Sequence, residues 1–103
     1  MKIIIGGDVS PINSNKKYFF NNSKIFGDFQ ELFNESELAI INLEVPLTNS
    51  SDKILKSGKN IKGPTFAAKS LKDSGVDIVS LANNHIGDFS DQGVSDTINN
   101  CKI

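Results

Sequence analysis

The sequence predicts an α/β fold in which mainly parallel strands alternate with helices. Short runs of β-branched and apolar residues have the length of strands, and the longer stretches between them place apolar residues at helical spacing. Glycine, asparagine or proline follows each apolar run, as is usual where strands end. Strands that alternate with helices pair in parallel through crossover connections. The 103 residues suffice for one compact domain.

Three segments have the composition of buried strands: residues 2–6, 38–43 and 76–82. We expect the first strand to be buried and to run into a turn that ends at Asp8. The second should end at Glu44, because Pro46 cannot donate a hydrogen bond to a strand ladder. The third should end at Asn83. All three carboxyl ends would then lie at one edge of the sheet.

Two helices are predicted between these strands. Apolar residues recur at helical spacing over residues 25–33, which predicts an amphipathic helix with a face toward the core. A second helix over residues 66–71 should end near Gly75, because glycine suits the left-handed conformation that follows many helices.

A last helix is predicted to begin at Asp91, which is a suitable N-cap residue. Val94 and Ile98 have the spacing of an inward face in this helix. The polar residues 49–60 are expected to form an exposed loop. Cys101, the only cysteine, excludes an intrachain disulfide and is expected to be a small, buried apolar residue.

Composition argues against two classes of partner. The formal net charge is -1 and 22% of residues are charged, so the chain has no overall field that would hold nucleic acid or an acidic membrane. The apolar run from Met1 to Ile5 is too short for a signal peptide or a membrane span. From the sequence we therefore expect a cytoplasmic protein.

Polar residues follow each predicted strand and indicate a ligand site. Ligands of open parallel sheets gather at the carboxyl ends of the strands. These ends carry Asp8, Glu44, Asn84 and His85. Carboxylate, amide and imidazole groups are the donors that a divalent metal ion accepts. The pattern therefore predicts a polar cluster that can bind metal at one edge of the sheet.

Each of the two carboxylates also has a structural interpretation. Asp8 could accept a hydrogen bond from the backbone of its own turn. Glu44 could extend into solvent from the strand end. The pair Gly6 and Gly7 lacks the spacing of a phosphate-binding loop, which argues against a nucleotide site.

The only histidine gives the sharper signal. His85 follows a buried strand and two amides, Asn83 and Asn84, that offer carbonyl oxygens. Asp88 could orient the imidazole ring, as carboxylates commonly do for metal-binding histidines. A single histidine is nevertheless often structural, and Asp88 could instead stabilise the turn beside Gly87.

Four motifs occur in order along the chain: Gly6-Gly7-Asp8-Val9, Asn42-Leu43-Glu44-Val45-Pro46-Leu47-Thr48, Ser80-Leu81-Ala82-Asn83-Asn84-His85, and Asp88 with Gly93, Asp96 and Thr97. In order and spacing they resemble the bacterial CapA family, which is linked to poly-gamma-glutamate capsule synthesis. The resemblance covers most of the chain. It is weak only in the stretch before the second strand and in the polar loop.

The resemblance implies a fold and a site. That family is similar to the calcineurin-like metallophosphatases, so residues 1–103 would form the N-terminal part of a metallophosphatase-like α/β/β/α sandwich. Asp8, Glu44, Asn84 and His85 would bind divalent metal ions, two in a full-length protein, with Mn, Fe, Zn and Mg not distinguished. His85 would also protonate the leaving group of a phosphoester-like substrate. Asn83 and Asp88 would support these ligands.

Two departures from the phosphatase pattern weaken the implied site. The phosphatases have Asp-x-His in the first motif, whereas Ser10 takes the place of the histidine here. Glu44 is longer by one methylene than the bridging aspartate that it would replace. The family also supplies further histidines from later strands. We therefore expect this chain to carry only part of a complete site.

A second class of function follows from the same resemblance. The chain would then be a non-catalytic component of capsule assembly or export, or an inactive truncated fragment. Its expected partners are other capsule-synthesis proteins or a missing C-terminal half. An uncovered strand edge would also predict self-association.

Overall fold

A computed structural model of the protein describes residues 1–20 and 24–103 and confirms the α/β prediction. Three strands, β1 (Ile3–Val9), β2 (Leu38–Leu43) and β3 (Ile78–Ser80), form a parallel sheet in the order β1-β2-β3. Three α-helices alternate with them: α1 (Gln30–Glu35), α2 (Ala67–Asp73) and α3 (Ser90–Cys101). Within the described residues, two 3₁₀ helices, Asn13–Phe19 and Gly27–Phe29, lie between β1 and α1.

One face of the sheet forms the hydrophobic core. Successive side chains of a strand point to opposite faces, and in β2 the buried set is Ala39, Ile41 and Leu43. Phe33 of α1 and Leu71 of α2 belong to the same buried cluster. The helices therefore cover this face.

The opposite face of the sheet is open. Ile3 and Ile5 of β1 are 49% and 78% exposed, and Ile78 of β3 is 47% exposed. The first strand was predicted to be buried, and this prediction is wrong for its side chains on the open face. The part of the chain that the structure describes places no layer over that face. Parallel sheets are usually covered on both faces.

The outer strands differ in length from their predictions. β1 extends to Val9 and so includes Asp8, with an irregularity in its pairing between Ile5 and Asp8. β3 is confined to Ile78–Ser80, because only these residues pair with β2.

The helix predicted over residues 25–33 is shorter than expected. Gly27 has a φ of 54°, a left-handed conformation that an α-helix cannot include. Gly27 begins a 3₁₀ turn that ends at Phe29, and α1 begins only at Gln30. Phe33 is buried, but Phe29 and Leu32 are exposed, so the predicted core face is only partly correct.

The second helix follows its prediction. α2 ends at Asp73, and Gly75 has a φ of 97°, as expected for a glycine that follows a helix. A Cβ atom at Gly75 would also lie 3.5 Å from the carbonyl oxygen of Phe33.

The start of α3 differs from its prediction. The N-cap residue is Phe89, which provides no side-chain cap, so the assignment of Asp91 as N-cap is wrong. Asp91 lies in the first turn, where a carboxylate interacts favourably with the helix dipole.

The buried face of α3 consists of small residues rather than branched ones. Gly93 and Thr97 are buried, whereas Ile98 is 40% exposed and Val94 only half-buried, so the predicted inward face is wrong. The reason is lack of space: a Cβ atom at Gly93 would lie 2.9 Å from Cβ of Phe89 and 3.6 Å from Cγ2 of Thr48. Small side chains let the helix approach this segment.

Hydrogen bonds join α3 to the segment that follows β2. The buried N–H of Leu47 donates to Oγ1 of Thr97 at 2.9 Å, and Thr97 in turn donates to the carbonyl of Gly93 at 2.7 Å. Asn100 Nδ2 donates to the Leu47 carbonyl at 3.3 Å. The backbone of Leu47 is therefore satisfied by side chains of α3.

Thr48 makes a further link to α3. Its hydroxyl donates to Asp96 at 2.5 Å, and Gln92 Nε2 donates to the same carboxylate at 2.7 Å. These two hydrogen bonds, with that of Thr48 the stronger influence, lower the pKa of Asp96 below its ordinary value.

The last residues of α3 complete the core. Cys101 is half-buried and packs against the hydrophobic cluster, and burial raises the pKa of its thiol. No helix within residues 1–20 or 24–103 has the length and apolar character needed to cross a lipid bilayer.

Candidate functional site

The polar residues at the carboxyl end of the sheet are joined by hydrogen bonds. Asp8 and Asn42 are partners in the pairing of β1 with β2, and Nδ2 of Asn42 donates to Oδ1 of Asp8 at 2.7 Å. Asn83 Nδ2 donates to Oδ1 of Asn42 at 3.1 Å and to the carbonyl of Leu43 at 2.8 Å. Asn42 therefore connects the carboxylate of β1 to the turn after β3.

Asn83 also shapes the turn that carries the histidine. Its Oδ1 accepts the backbone N–H groups of His85 at 3.1 Å and Ile86 at 3.0 Å. Such side-chain acceptance fixes a turn that the backbone alone would not hold. Asn83 thus fixes the position of His85 relative to β2, while Asn84 is exposed in the same turn.

The imidazole of His85 is oriented by a buried carboxylate. Nδ1 of His85 lies 2.7 Å from Oδ2 of Asp88, whose side chain is fully buried. This contact occupies one ring nitrogen and leaves Nε2 for a ligand. His85 itself is 18% exposed, so its ring is accessible from the surface.

Asp88 has further partners, which compensate its burial. Lys56 Nζ donates to Oδ1 at 2.6 Å, and the N–H of Ile61 donates to Oδ2 at 2.9 Å. Burial alone raises the pKa of Asp88, but the hydrogen bonds from Lys56, Ile61 and His85 together outweigh it and lower the pKa below its ordinary value. Asp88 is therefore ionised at neutral pH.

The second carboxylate is held differently. Glu44 directly follows β2, is half-buried and accepts a hydrogen bond from Oγ of Ser10 at 3.1 Å through Oε2. Its backbone N–H donates to the carbonyl of Val9 at 3.0 Å. Ser10 therefore lies beside Glu44 at the position where the metallophosphatase pattern has a histidine.

A cavity opens next to Asp8. It has a volume of about 300 Å³, and its lining includes Asp8, Ser10, Asn15 and Tyr18. This volume lies at the lower limit for small-molecule pockets. Polar groups from β1 and from the 3₁₀ helix Asn13–Phe19 thus border a space that could admit a small group of a substrate.

The donor groups at this edge are suitable for a metal ion in kind but not in number. Within residues 1–20 and 24–103, no group of three or more histidine, cysteine, aspartate or glutamate side chains is placed to hold a metal ion. Asp8 and Glu44 each have one oxygen in a hydrogen bond to a neighbouring side chain. A metal bound by this chain alone would therefore have an incomplete set of ligands.

Three residues that contribute to the polar edge of the sheet were not predicted as site residues from the sequence. Asn42 was detectable, since it is a polar residue inside the apolar strand β2. Ser10 was noted only as a departure from the phosphatase pattern. Lys56 gave no signal, because it lies in a lysine-rich loop and is separated from Asp88 by 32 residues.

Comparison with known proteins identifies the family. The family model described as "Bacterial capsule synthesis protein PGA_cap" matches residues 2–102. None of the curated proteins to which the sequence was compared matches it. The family match spans all four motifs, including the segments that form the polar edge of the sheet. The chain belongs to the bacterial capsule synthesis protein family PGA_cap.

Proposed function

We propose that this capsule synthesis protein contributes part of a metal-dependent, phosphoesterase-like hydrolytic site. Asp8, Glu44, Asn84 and His85 would be its metal ligands, with His85 also acting on the leaving group. The observation that carries the proposal is the contact between His85 and the buried Asp88. A carboxylate on Nδ1 that leaves Nε2 for a ligand is the usual arrangement of metal-binding and acid–base histidines.

The chemistry of the remaining groups supports a divalent ion, and their small number supports a shared site. A bound metal would polarise a phosphoryl oxygen and lower the pKa of a bound water. Because the described residues provide too few ligands, we propose that another segment or chain completes the set. Residues 1–103 would then be the N-terminal part of a larger metallophosphatase-like domain.

The chain's own residues would handle the proton. Nε2 of His85 can either bind a metal ion or carry a proton, and in the state in which it is not bound to metal it would carry a proton and give it to the oxygen of the leaving group. Asp88 would stabilise the imidazolium through Nδ1, as carboxylates do in catalytic triads. Lys56 would offset the charge of Asp88 when the imidazole is neutral. The association of the site with poly-gamma-glutamate rests on the family resemblance alone.

A non-catalytic role in capsule assembly is the second candidate, and one observation favours it. The polar side chains at the edge are bonded to one another: Asn42 to Asp8, Ser10 to Glu44, and Asn83 to the backbone of β2. Such bonds can hold strands and turns in place without any ligand.

Calorimetric titration of the metal-free protein with Mn²⁺ separates these two functions. We expect saturable binding that Asp8→Ala and His85→Ala abolish, with Asp73→Asn as a control because Asp73 is an exposed carboxylate on α2. Circular dichroism should show that all four proteins are folded. Absence of binding in the wild type, or equal binding by the variants, would show that this chain holds no metal ion by itself and would favour the assembly role.

A further inference from the structure

The loop between the segment after β2 and α2 is strongly basic. We call residues 49–63 the lysine loop, because lysine occupies every third position from residue 53 to residue 62: Lys53, Lys56, Lys59 and Lys62. Asp52 is its only acidic residue. The protein as a whole has a formal net charge of -1, so this loop is a local concentration of positive charge.

Hydrogen bonds to Asp88 hold the lysine loop in one conformation. The N–H of Ile54 donates to the backbone carbonyl of Asp88 at 3.1 Å, and Asn60 Nδ2 donates to the same carbonyl at 2.8 Å. Asn60 also donates to the carbonyl of Ile54 at 3.1 Å and so closes the tip of the loop. Lys56 bonds to the Asp88 carboxylate. The tip is therefore anchored rather than loose.

The anchored tip presents an apolar side chain to solvent. Leu55 is 103% exposed and its neighbour Ile54 is 38% exposed. No other large apolar residue in the described part of the chain is as exposed as Leu55. Because its neighbours on both sides are anchored to Asp88, the loop cannot readily turn this leucine inward. The tip of the lysine loop therefore presents a fixed apolar side chain beside its lysines.

The charges around Leu55 are available to a partner. Lys53 and Lys59 are exposed and form no ion pair with any carboxylate in residues 1–20 or 24–103. Lys62 is exposed, but its ammonium group donates to the backbone carbonyl of Ser50 at 2.6 Å and lies 4.8 Å from the centre of the Phe89 ring, so it is held by contacts within the protein. Only Lys56 is neutralised, by Asp88.

We propose that the lysine loop binds the surface of an anionic lipid membrane. Leu55 would enter the boundary between headgroups and acyl chains, while Lys53 and Lys59 would face lipid phosphates. Leu55 favours a membrane over a soluble anionic polymer, because a polyanion offers an exposed leucine no apolar environment. The overall charge excludes a large basic field, but a local patch acts within about one Debye length of the surface.

The position of the loop relates this surface to the candidate site. The backbone carbonyl of Asp88 anchors the loop, and its carboxylate orients His85. A membrane bound to the loop would therefore lie beside the polar edge of the sheet. Membrane binding does not depend on the proposed hydrolytic function, and each can fail separately.

Co-sedimentation with lipid vesicles tests the proposal. The wild type should bind vesicles of phosphatidylglycerol and phosphatidylcholine in equal parts, but not vesicles of phosphatidylcholine alone. Each lysine near an anionic surface contributes about fivefold in affinity, so the double variant Lys53→Gln/Lys59→Gln should bind about 25-fold more weakly. Leu55→Ser should weaken binding by about tenfold.

A matched control removes the same charge elsewhere. Lys72 and Lys102 are exposed. Lys102 follows the C-terminal end of α3, and this end lies about 18 Å from the N-terminal end of the helix. Lys72→Gln/Lys102→Gln should therefore bind like the wild type. Equal binding to both kinds of vesicle, or an equal loss in both double variants, would overturn the proposal. So would binding to soluble polyglutamate or dextran sulfate that equals vesicle binding and is unchanged in Leu55→Ser.

Discussion

Asp88 is fully buried and accepts hydrogen bonds from Lys56, from His85 and from the backbone of Ile61. These contacts join the lysine loop, the turn after β3 and the start of α3 at one carboxylate. Its charge is stabilised in the folded protein, so its folded pKa lies below the unfolded value.

The lowered pKa of Asp88 predicts a specific dependence of stability on pH. A group whose folded pKa is depressed contributes stability above its unfolded pKa, and this contribution is lost as the pH falls through the folded pKa. Urea denaturation should therefore show the free energy of unfolding decreasing below about pH 4. Asp88→Asn should reduce stability at pH 7 by about 3 kcal/mol, because it leaves Lys56 without its partner.

Asp73→Asn is the matched control for this measurement. Asp73 is 51% exposed and pairs only with Lys69 on the surface of α2. We expect loss of the Asp73 carboxylate to change the free energy of unfolding by less than about 0.5 kcal/mol, both at pH 7 and below about pH 4. Equal effects of the two substitutions at pH 7 would contradict the role assigned to Asp88.

Among the elements, α3 holds the segment after β2 in place, because side chains of α3 form hydrogen bonds with the backbone N–H and carbonyl of Leu47. Gly93, Asp96 and Thr97 belong to the motifs that carry the family resemblance, yet they contact the Leu47–Thr48 segment rather than the polar edge. Their role in this structure is to position a buried backbone segment.

Substitution of Thr97 tests how much its hydrogen bond with Leu47 contributes to stability. Thr97→Val keeps the shape of the side chain but leaves the buried N–H of Leu47 without an acceptor, which should reduce stability by about 1–3 kcal/mol. Thr97→Ser keeps the hydroxyl and should retain more of the stability. The measurement is urea unfolding followed by circular dichroism. If valine and serine gave the same loss, packing rather than the hydrogen bond would be responsible.

The elements also show which parts of the fold and of the candidate site could be predicted from the sequence. β2 was located correctly at residues 38–43 because its run of apolar residues is bounded by Glu44 and Pro46. The inward face of α3 was mispredicted because hydrophobic spacing detects large apolar side chains, whereas α3 places the small residues Gly93 and Thr97 against the segment after β2. Lys56 could not be assigned to the site, because its contact with Asp88 depends on the path of a loop without regular structure.

Across the whole molecule, one side of the sheet is packed and the other is open. Ile3, Ile5 and Ile78 lie on the open face, and β1 is an edge strand without proline or lysine along its length. Exposed apolar faces and unprotected edges promote pairing between chains. The fold class was predictable from the alternation of elements, but which face would be covered was not.

This open face predicts concentration-dependent self-association. Sedimentation velocity should show the apparent mass rising with protein concentration, and Ile5→Lys should suppress this rise by placing a charge on the face. Ile103→Lys introduces the same charge at a residue that is 57% exposed at the end of the chain, and it should have no effect. A wild type that sediments as a monomer at every concentration would refute the prediction.

The hydrogen bond between Leu47 and Thr97 joins residues that are 50 positions apart. During translation, at about 5–20 residues per second, Leu47 would be synthesised roughly 3 to 10 s before the helix that satisfies its backbone. Throughout that interval the nascent chain exposes an unsatisfied apolar segment. The protein should therefore be a client of ribosome-associated chaperones until α3 has left the ribosome.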